Sequence, residues 1–316
     1  MPSSLEFERP IIELENKIDE LKSFAEEKDI DLSNEINKLE NRAEELKKST
    51  YSNLIPWQKV LIARHPERPN ALDYIKLLIN DFMELHGDRL YGDDPAVVGG
   101  IGRFEGRPVT VIGNIKGKDT KQNVARNFGM AHPEGYRKAL RLMKQAEKFN
   151  RPVICFVDTP GAYCGMGAEE RGQGEAIARD LMEMSALKTP LVTVVIGEGG
   201  SGGALAFSVA DRILMQEHSV FSVSSPEACA SILWKDGTMA REAAEALRLT
   251  AQDLLELGVL DNVIKEPLGG AHREYNVAAK LVGQEISTQL NELQQYSIET
   301  ILDNRYKKFR AIGKIG

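Results

Sequence analysis

A glycine-rich junction, Gly197-Glu-Gly-Gly-Ser-Gly-Gly203, constrains this chain more than any other stretch. It follows the apolar, β-branched run Leu191-Val-Thr-Val-Val-Ile196 behind Pro190, which predicts a buried strand. It precedes Ala204-Leu-Ala-Phe-Ser-Val-Ala210, which predicts a tightly packed helix. A strand that passes through glycines into a helix leaves the first N–H groups of that helix without intrahelical acceptors. With the positive end of the helix dipole behind them, those donors suit an anion or a developing oxyanion. Without a Cβ in the way, a ligand can come within hydrogen-bond reach of the backbone. The simpler alternative is that the glycines only permit close strand–helix packing, and the junction alone does not decide between the two.

The surrounding pattern alternates strand and helix. Pro108-Val-Thr-Val-Ile-Gly113, Pro152-Val-Ile-Cys-Phe-Val157 and Leu191–Ile196 read as strands, with Arg212–Gln216, Val220–Val223 and Val259–Ile264 following. His132-Pro133-Glu134 opens a helix with Tyr136, Leu140, Met143 and Ala146 on one face; Glu169–Leu187, Pro226–Trp234 and Arg241–Leu249 read as further helices. Thr250 with Asp253 forms a capping box, Gly258 a helix stop, and the chain from about Asn276 to Phe309 is one helical stretch. Tyr74–Met83 is also read as helix, inside an aromatic and basic connector over residues 50–85. Short links between strands and helices imply a parallel sheet covered by helices, with ligands at the carboxyl ends of the strands. A second turn, Asp158-Thr-Pro-Gly-Ala-Tyr-Cys-Gly165, falls at that same end.

Residues 1–49 differ. Ile11, Leu14, Ile18, Leu21 and Ala25, then Leu32, Ile36, Leu39, Ala43 and Leu46, recur at spacings of three and four with Glu and Lys between. This predicts a helical hairpin with a narrow apolar seam, suited to docking rather than chemistry. It is read as one domain and residues 50–316 as another.

Composition excludes several classes. A net charge of -7 argues against a nucleic-acid footprint. Cys155, Cys164 and Cys229 are scattered, without a Cys-x-x-Cys, so neither a disulfide framework nor a zinc site within this chain is expected. Cys155 sits in a strand and is expected in the core. The start shows no basic-then-apolar leader pattern, and no apolar run reaches the ~18 residues of a membrane helix. A soluble cytoplasmic protein is the expectation.

The junction fits three chemistries. As G-x-G-x-x-G, with Glu217 about twenty residues on, it fits a dinucleotide turn, although that fingerprint normally opens its domain. As G-x-S-x-G it fits a nucleophile elbow on Ser201, with Asp236 or Asp261 and His272 available in the required order: an α/β serine hydrolase. In the third reading the amides of Gly202 and Gly203 stabilise an oxyanion with no side chain at all. A P-loop is excluded, because no Gly-Lys-Ser/Thr follows.

Longer motifs carry a family resemblance. The turn Asp158–Tyr163, Gly167-Ala-Glu-Glu-Arg-Gly-Gln173, the junction through Ala206, and Ser225-Pro-Glu-Ala-Cys-Ala-Ser-Ile-Leu-Trp-Lys235 together resemble the carboxyltransferase α subunit of bacterial acetyl-CoA carboxylase. Asn127–Met130, Pro133–Met143, Glu266–Arg273 and Ala63-Arg-His-Pro66 agree, so the resemblance runs essentially end to end. It implies an α/β, crotonase-type (ClpP/crotonase-like) fold of stacked ββα units, with an N-terminal helical hairpin and C-terminal helices. It implies carboxyl transfer from carboxybiotin, delivered on a biotin carboxyl carrier protein charged by biotin carboxylase, to acetyl-CoA, giving malonyl-CoA for fatty acid synthesis. A separate β subunit, carrying a zinc ribbon and the hole for the acetyl-CoA enolate, completes the site; an α2β2 assembly is expected. By position Gly202 and Gly203 match the amides that face carboxybiotin and stabilise its ureido oxyanion, while Gly161, Ala162, Gly199, Gly200 and Ser201 line the site. Cys164 stands where the family has proline after the tyrosine. The basic loop Lys116–Lys121, with Arg126, is read either as a contact for the phosphates of CoA or as a solvated loop, and Arg305–Arg310 as a solvated basic face.

Overall fold

A computed structural model describes residues 5–313; residues 1–4 of the segment examined for a leader lie outside it. Two helices, α1 (Arg9–Lys28) and α2 (Ser33–Ser52), form the expected hairpin, joined through Asp29 in the left-handed region. The seam residues are buried or half-buried, and Ile11 packs with Tyr51 and Ile62 of the body. Then come α3 (Pro56–Ala63), α4 (Ala71–Leu78), β1 (Ile79–Glu84), β2 (Val97–Phe104), β3 (Arg107–Asn114), α5 (Thr120–Ala125), α6 (Pro133–Lys148) and β4 (Val153–Thr159). They are followed by α7 (Met166–Glu170), α8 (Gln173–Ala186), β5 (Leu191–Gly200), α9 (Ser201–Leu205), β6 (Arg212–Gln216), β7 (Val220–Ser222) and α10 (Pro226–Trp234). The chain closes with α11 (Ala240–Ala246), α12 (Ala251–Glu256), β8 (Asn262–Ile264), α13 (Tyr275–Leu293) and α14 (Ile298–Ala311).

The strands make one sheet in the order β1-β2-β3-β4-β5-β6-β8, with β7 added against the far end of β5. From β3 onward every pairing is parallel, as the strand–helix alternation predicted. In front stands an antiparallel meander, β1-β2-β3, which the sequence did not announce. Tyr74–Met83 is not one helix: α4 stops at Leu78 and the apolar run continues as strand, because Ile79 pairs with Phe104 across β2. β2 itself was hidden by its glycines, which deplete strand signal. They are needed there, since a Cβ on Gly100 would come within 2.8 Å of the Phe82 ring.

Alternating side chains of the central strands supply two cores. Val153, Cys155 and Val157 face Tyr136, Leu142, Met143 and Met184 on one side. Ile154 and Phe156, with Val192, Val194 and Ile196, face Tyr74, Val282 and Ile286 on the other. Cys155 is therefore core, as expected. The Thr250–Asp253 capping box forms, and Gly258 (φ 68°) stops its helix.

Three helical stretches are broken where the sequence reading ran them through. The stretch Glu169–Leu187 is interrupted at Gly172 (φ 82°), beside Arg171, whose carbonyl accepts from Arg137 and whose guanidinium pairs with Glu134. The C-terminal stretch is interrupted before Ser297, which caps α14. The Ala-rich run after Gly203 is helical only to Leu205, and Thr193 Oγ1 donates to the Phe207 carbonyl (2.6 Å) beyond it. The C-terminal basic cluster is not wholly solvated either. Arg305 is buried, forking onto Asp211 at 2.8 and 2.9 Å, and Lys308 reaches Asp261 at 2.9 Å.

Candidate active site

The two glycine-containing turns meet at the carboxyl ends of β4 and β5, where Thr159 is in register with Gly199. β5 does not end at Ile196 but runs on to Gly200, pairing Glu198, Gly199 and Gly200 with Val220, Phe221 and Ser222 of β7. The turn proper is thus Gly200–Gly203. Gly203 is buried with its Cα against the Gly161–Ala162 peptide: a Cβ there would lie 2.5 Å from Gly161 C and 2.6 Å from Ala162 N. Gly200 is as close to Pro160, with Gly161 N 3.0 Å from the position a Cβ would take. Backbone packs directly on backbone, which only glycine permits. Gly161 itself has φ 154°, and the Thr159 hydroxyl closes the loop, donating to Gly161 O (2.8 Å) and accepting from Gly161 N–H (3.1 Å).

Gly202 has more room. A Cβ there would make ordinary contact with Ile177 Cγ2 at 3.7 Å. Ser201 is exposed and has φ 51°, and α9 begins with no side-chain cap, so its first amides open the helix without an intrahelical acceptor. The structure therefore brings Gly161, Ala162, Gly199, Gly200, Ser201, Gly202 and Gly203 together in one place.

The charges beneath these turns were not read as a unit in the sequence. Lys116, just beyond β3, places Nζ 2.8 Å from Asp158 Oδ1 and 2.6 Å from Glu198 Oε2. Arg64 takes the other Glu198 oxygen (2.6 Å) and reaches Glu227 on α10 (2.6 Å), while Glu198 N–H donates to Asp158 Oδ1 (2.9 Å). Burial alone would raise the Glu198 pKa, but Lys116 and Arg64 hold it at about 2. Burial likewise disfavours the Lys116 ammonium, and the two carboxylates outweigh it, so its pKa is raised. A second buried pair lies behind: Arg68 donates to Ile196 O (2.6 Å) and pairs with Glu266 (2.6 Å). The available signal was Glu198 itself, a carboxylate at the end of a buried strand, which must find a cation.

This geometry takes Lys116 out of the basic-loop reading, while Lys118 and Lys121 stay exposed. Lys116 is neither solvated nor free for a phosphate, and Lys118 pairs with Asp73 at 2.8 Å. Arg126 donates to Pro95 O. The dinucleotide reading also fails, since Gly197–Gly200 are strand rather than turn and Glu217 pairs with Lys265. The elbow reading retains the strained Ser201 but loses its partners. Asp236 caps Thr238, Asp261 accepts from Ile213 N–H and meets Lys308, and His272 is buried in a stack with His65 at 4.1 Å. Cys164 is exposed at the lip of the Asp158–Gly165 turn. Among the described residues no cluster of three or more His, Cys, Asp or Glu could hold a metal, and no helix is long and apolar enough to cross a membrane.

The same architecture occurs in carboxyl-handling enzymes. A transcarboxylase 12S structure with methylmalonyl-coenzyme A bound superposes with a TM-score of 0.54 at 23% identity, over 68% of this chain and 41% of that one. The beta subunit of Pseudomonas aeruginosa geranyl-CoA carboxylase gives 0.55 at 17%, over 75% of this chain and 45% of that one. A Pseudomonas malonate decarboxylase hetero-tetramer in complex with coenzyme A gives 0.57 at 17%, over 68% and 86%. At these identities the likeness defines the fold, which is of the crotonase type.

Sequence comparison is more specific. The chain belongs to the family described as acetyl co-enzyme A carboxylase carboxyltransferase-like, matched over residues 4–313. It is 60% identical over 313 residues to the acetyl-coenzyme A carboxylase carboxyl transferase subunit alpha of Heliobacterium modesticaldum, covering 99% of this chain and 93% of that one. It is 59% identical over 308 residues to the subunit of the same name from Carboxydothermus hydrogenoformans, covering 98% and 95%.

Proposed function

We propose that this chain is the half of an acetyl-CoA carboxyltransferase site that receives the carboxyl donor. The observation that carries this is the backbone-on-backbone contact of Gly203 with Gly161–Ala162, which fixes a short, uncapped helix start between two strand ends. In this reading the amides of Gly202 and Gly203 donate to the donor's carbonyl oxygen as negative charge develops there. Preorganised amides of this kind are worth ~100-fold or more in rate each. Gly161, Ala162, Gly199, Gly200 and Ser201 line the surface on which the donor rests. The exposed Ser201 and the open Gly202 leave room for a planar ureido group to approach the amide edge. Bound there, carboxybiotin would supply the carboxyl group to be transferred.

The acceptor is acetyl-CoA, becoming malonyl-CoA for fatty acid synthesis. A β subunit with its own zinc ribbon would hold the acyl-CoA, in an α2β2 assembly served by a biotin carboxyl carrier protein and biotin carboxylase, in the cytoplasm. The hairpin of residues 1–49 would serve as a docking arm for the domain formed by residues 50–316. Replacing Ser201 by Ala separates carboxyl transfer from hydrolysis. Exchange of the carboxyl group between malonyl-CoA and a biotin derivative, in the complex with the β subunit, is expected within about threefold of wild type; abolition of the exchange would instead assign the chemistry to the hydroxyl.

A further inference from the structure

Resting on the function proposed above, we infer that Lys116 is a positioning residue for the transfer reaction: its ammonium sets the separation of the two glycine turns by bridging Asp158 and Glu198. Both carboxylates sit immediately before the turns they control. Asp158 lies one residue before Thr159, whose hydroxyl closes the Gly161 loop, and Glu198 lies two residues before Gly200. Lys116 reaches both, at 2.8 and 2.6 Å. The peptide between the turns leaves no slack, because Gly197 packs on the Asp158 carboxylate, with Cγ 2.7 Å from where a Cβ would be. Lys116 is itself fixed at its carbonyl, which accepts from Asn70 Nδ2 (3.2 Å).

Of the two carboxylates, Glu198 has a second cation, Arg64. Asp158 has only Lys116 as a paired cation among the described residues and otherwise accepts from Glu198 N–H. Without the ammonium the two carboxylates face each other unbridged, and their repulsion drives β4 and β5 apart at their carboxyl ends. The Gly203–Gly161 contact that aligns the amides lies at that end. A shift of about 1 Å there costs ~100-fold in rate without touching the acyl-CoA, which the partner would hold.

The test is Lys116→Met in the complete complex with the β subunit, read by carboxyl exchange between malonyl-CoA and a biotin derivative. The expected result is kcat reduced about 100-fold with KM for malonyl-CoA within about threefold. Lys116→Met combined with Glu198→Gln, which removes the repulsion but not the gap, is expected to recover about tenfold of that loss. A purely structural role predicts a lower unfolding temperature with kcat within threefold of wild type, and that result overturns the inference. Should Lys116→Met fail to fold, Lys116→Arg decides: its wider fork cannot serve both oxygens at the same spacing, so kcat at least tenfold down supports the inference and wild-type kcat overturns it. A wild-type complex that exchanges no carboxyl group would overturn the function and this role together. An active wild type with an equally active Lys116→Met sinks the positioning role alone.

Discussion

Gly203 and Gly202 are adjacent and chemically identical, yet the structure assigns them opposite tolerance to a methyl group. In Gly203→Ala the new Cβ would stand 2.5 Å from Gly161 C and 2.6 Å from Ala162 N. Carbon atoms pack at about 3.5 Å or more, so the two turns must separate by about 1 Å. Overpacking of this kind costs about 1–3 kcal/mol of stability. A shift of that size at a reacting centre costs about 100-fold in rate. In Gly202→Ala the Cβ meets Ile177 at 3.7 Å, which is ordinary contact, and the backbone amide is retained. Gly202→Ala is expected to retain at least tenfold more activity than Gly203→Ala. The assay is carboxyl exchange between malonyl-CoA and a biotin derivative in the assembled complex, with urea unfolding of each variant measured alongside. Equal activity of the two variants, or a Gly202→Ala defect exceeding that of Gly203→Ala, would refute the turn-contact argument.

Other outcomes follow from the buried charges. Arg305→Met leaves Asp211 without its fork and removes the guanidinium donors to the carbonyls of Met184, Leu187 and Thr189, and is expected to cost about 3–5 kcal/mol in chemical unfolding. Burial works to raise the Glu266 pKa, but Arg68 and His218 bring it down to about 2, against 4.5 when unfolded. Its stabilisation is therefore present above about pH 4.5 and fades as pH falls toward 2, a loss of about 3 kcal/mol that is absent from the unfolding profile of Glu266→Gln. His272 is held neutral, its pKa lowered to about 3 by burial and by His65 and Arg273. Stability should thus fall as pH drops below about 6.5, by up to about 1.4 kcal/mol per unit, and His272→Phe should flatten that slope in thermal unfolding.

The parallel half of the sheet and both glycine turns were legible because they rest on local signals. β-branched runs bounded by proline and glycine specify β4 and β5, and Thr250–Asp253 specifies a cap. The antiparallel meander was not legible. Ile79 is strand only because it pairs with Phe104, and the β2 glycines answer to remote neighbours, Gly100 and Gly102 to β1 and Gly99 to Leu142 of α6. The same limit hid the charge network. Lys116, Asp158, Glu198 and Arg64 are far apart in sequence, so Lys116 read as one more loop lysine until the fold set it between two carboxylates. Arg305 was misread for the same reason, its partner Asp211 being remote in the chain. Ser201 shows the opposite failure: a true local signal, down to its left-handed φ, without the acid and base a nucleophile needs.

The most direct test of a half-site is to measure carboxyl exchange from malonyl-CoA to a free biotin derivative with this chain alone, and again after adding the β subunit of the same complex. Exchange only in the mixture, reduced about 100-fold by Gly203→Ala, is the predicted result. Robust exchange by the isolated chain would contradict it, because both sites of charge stabilisation would then lie within these 316 residues.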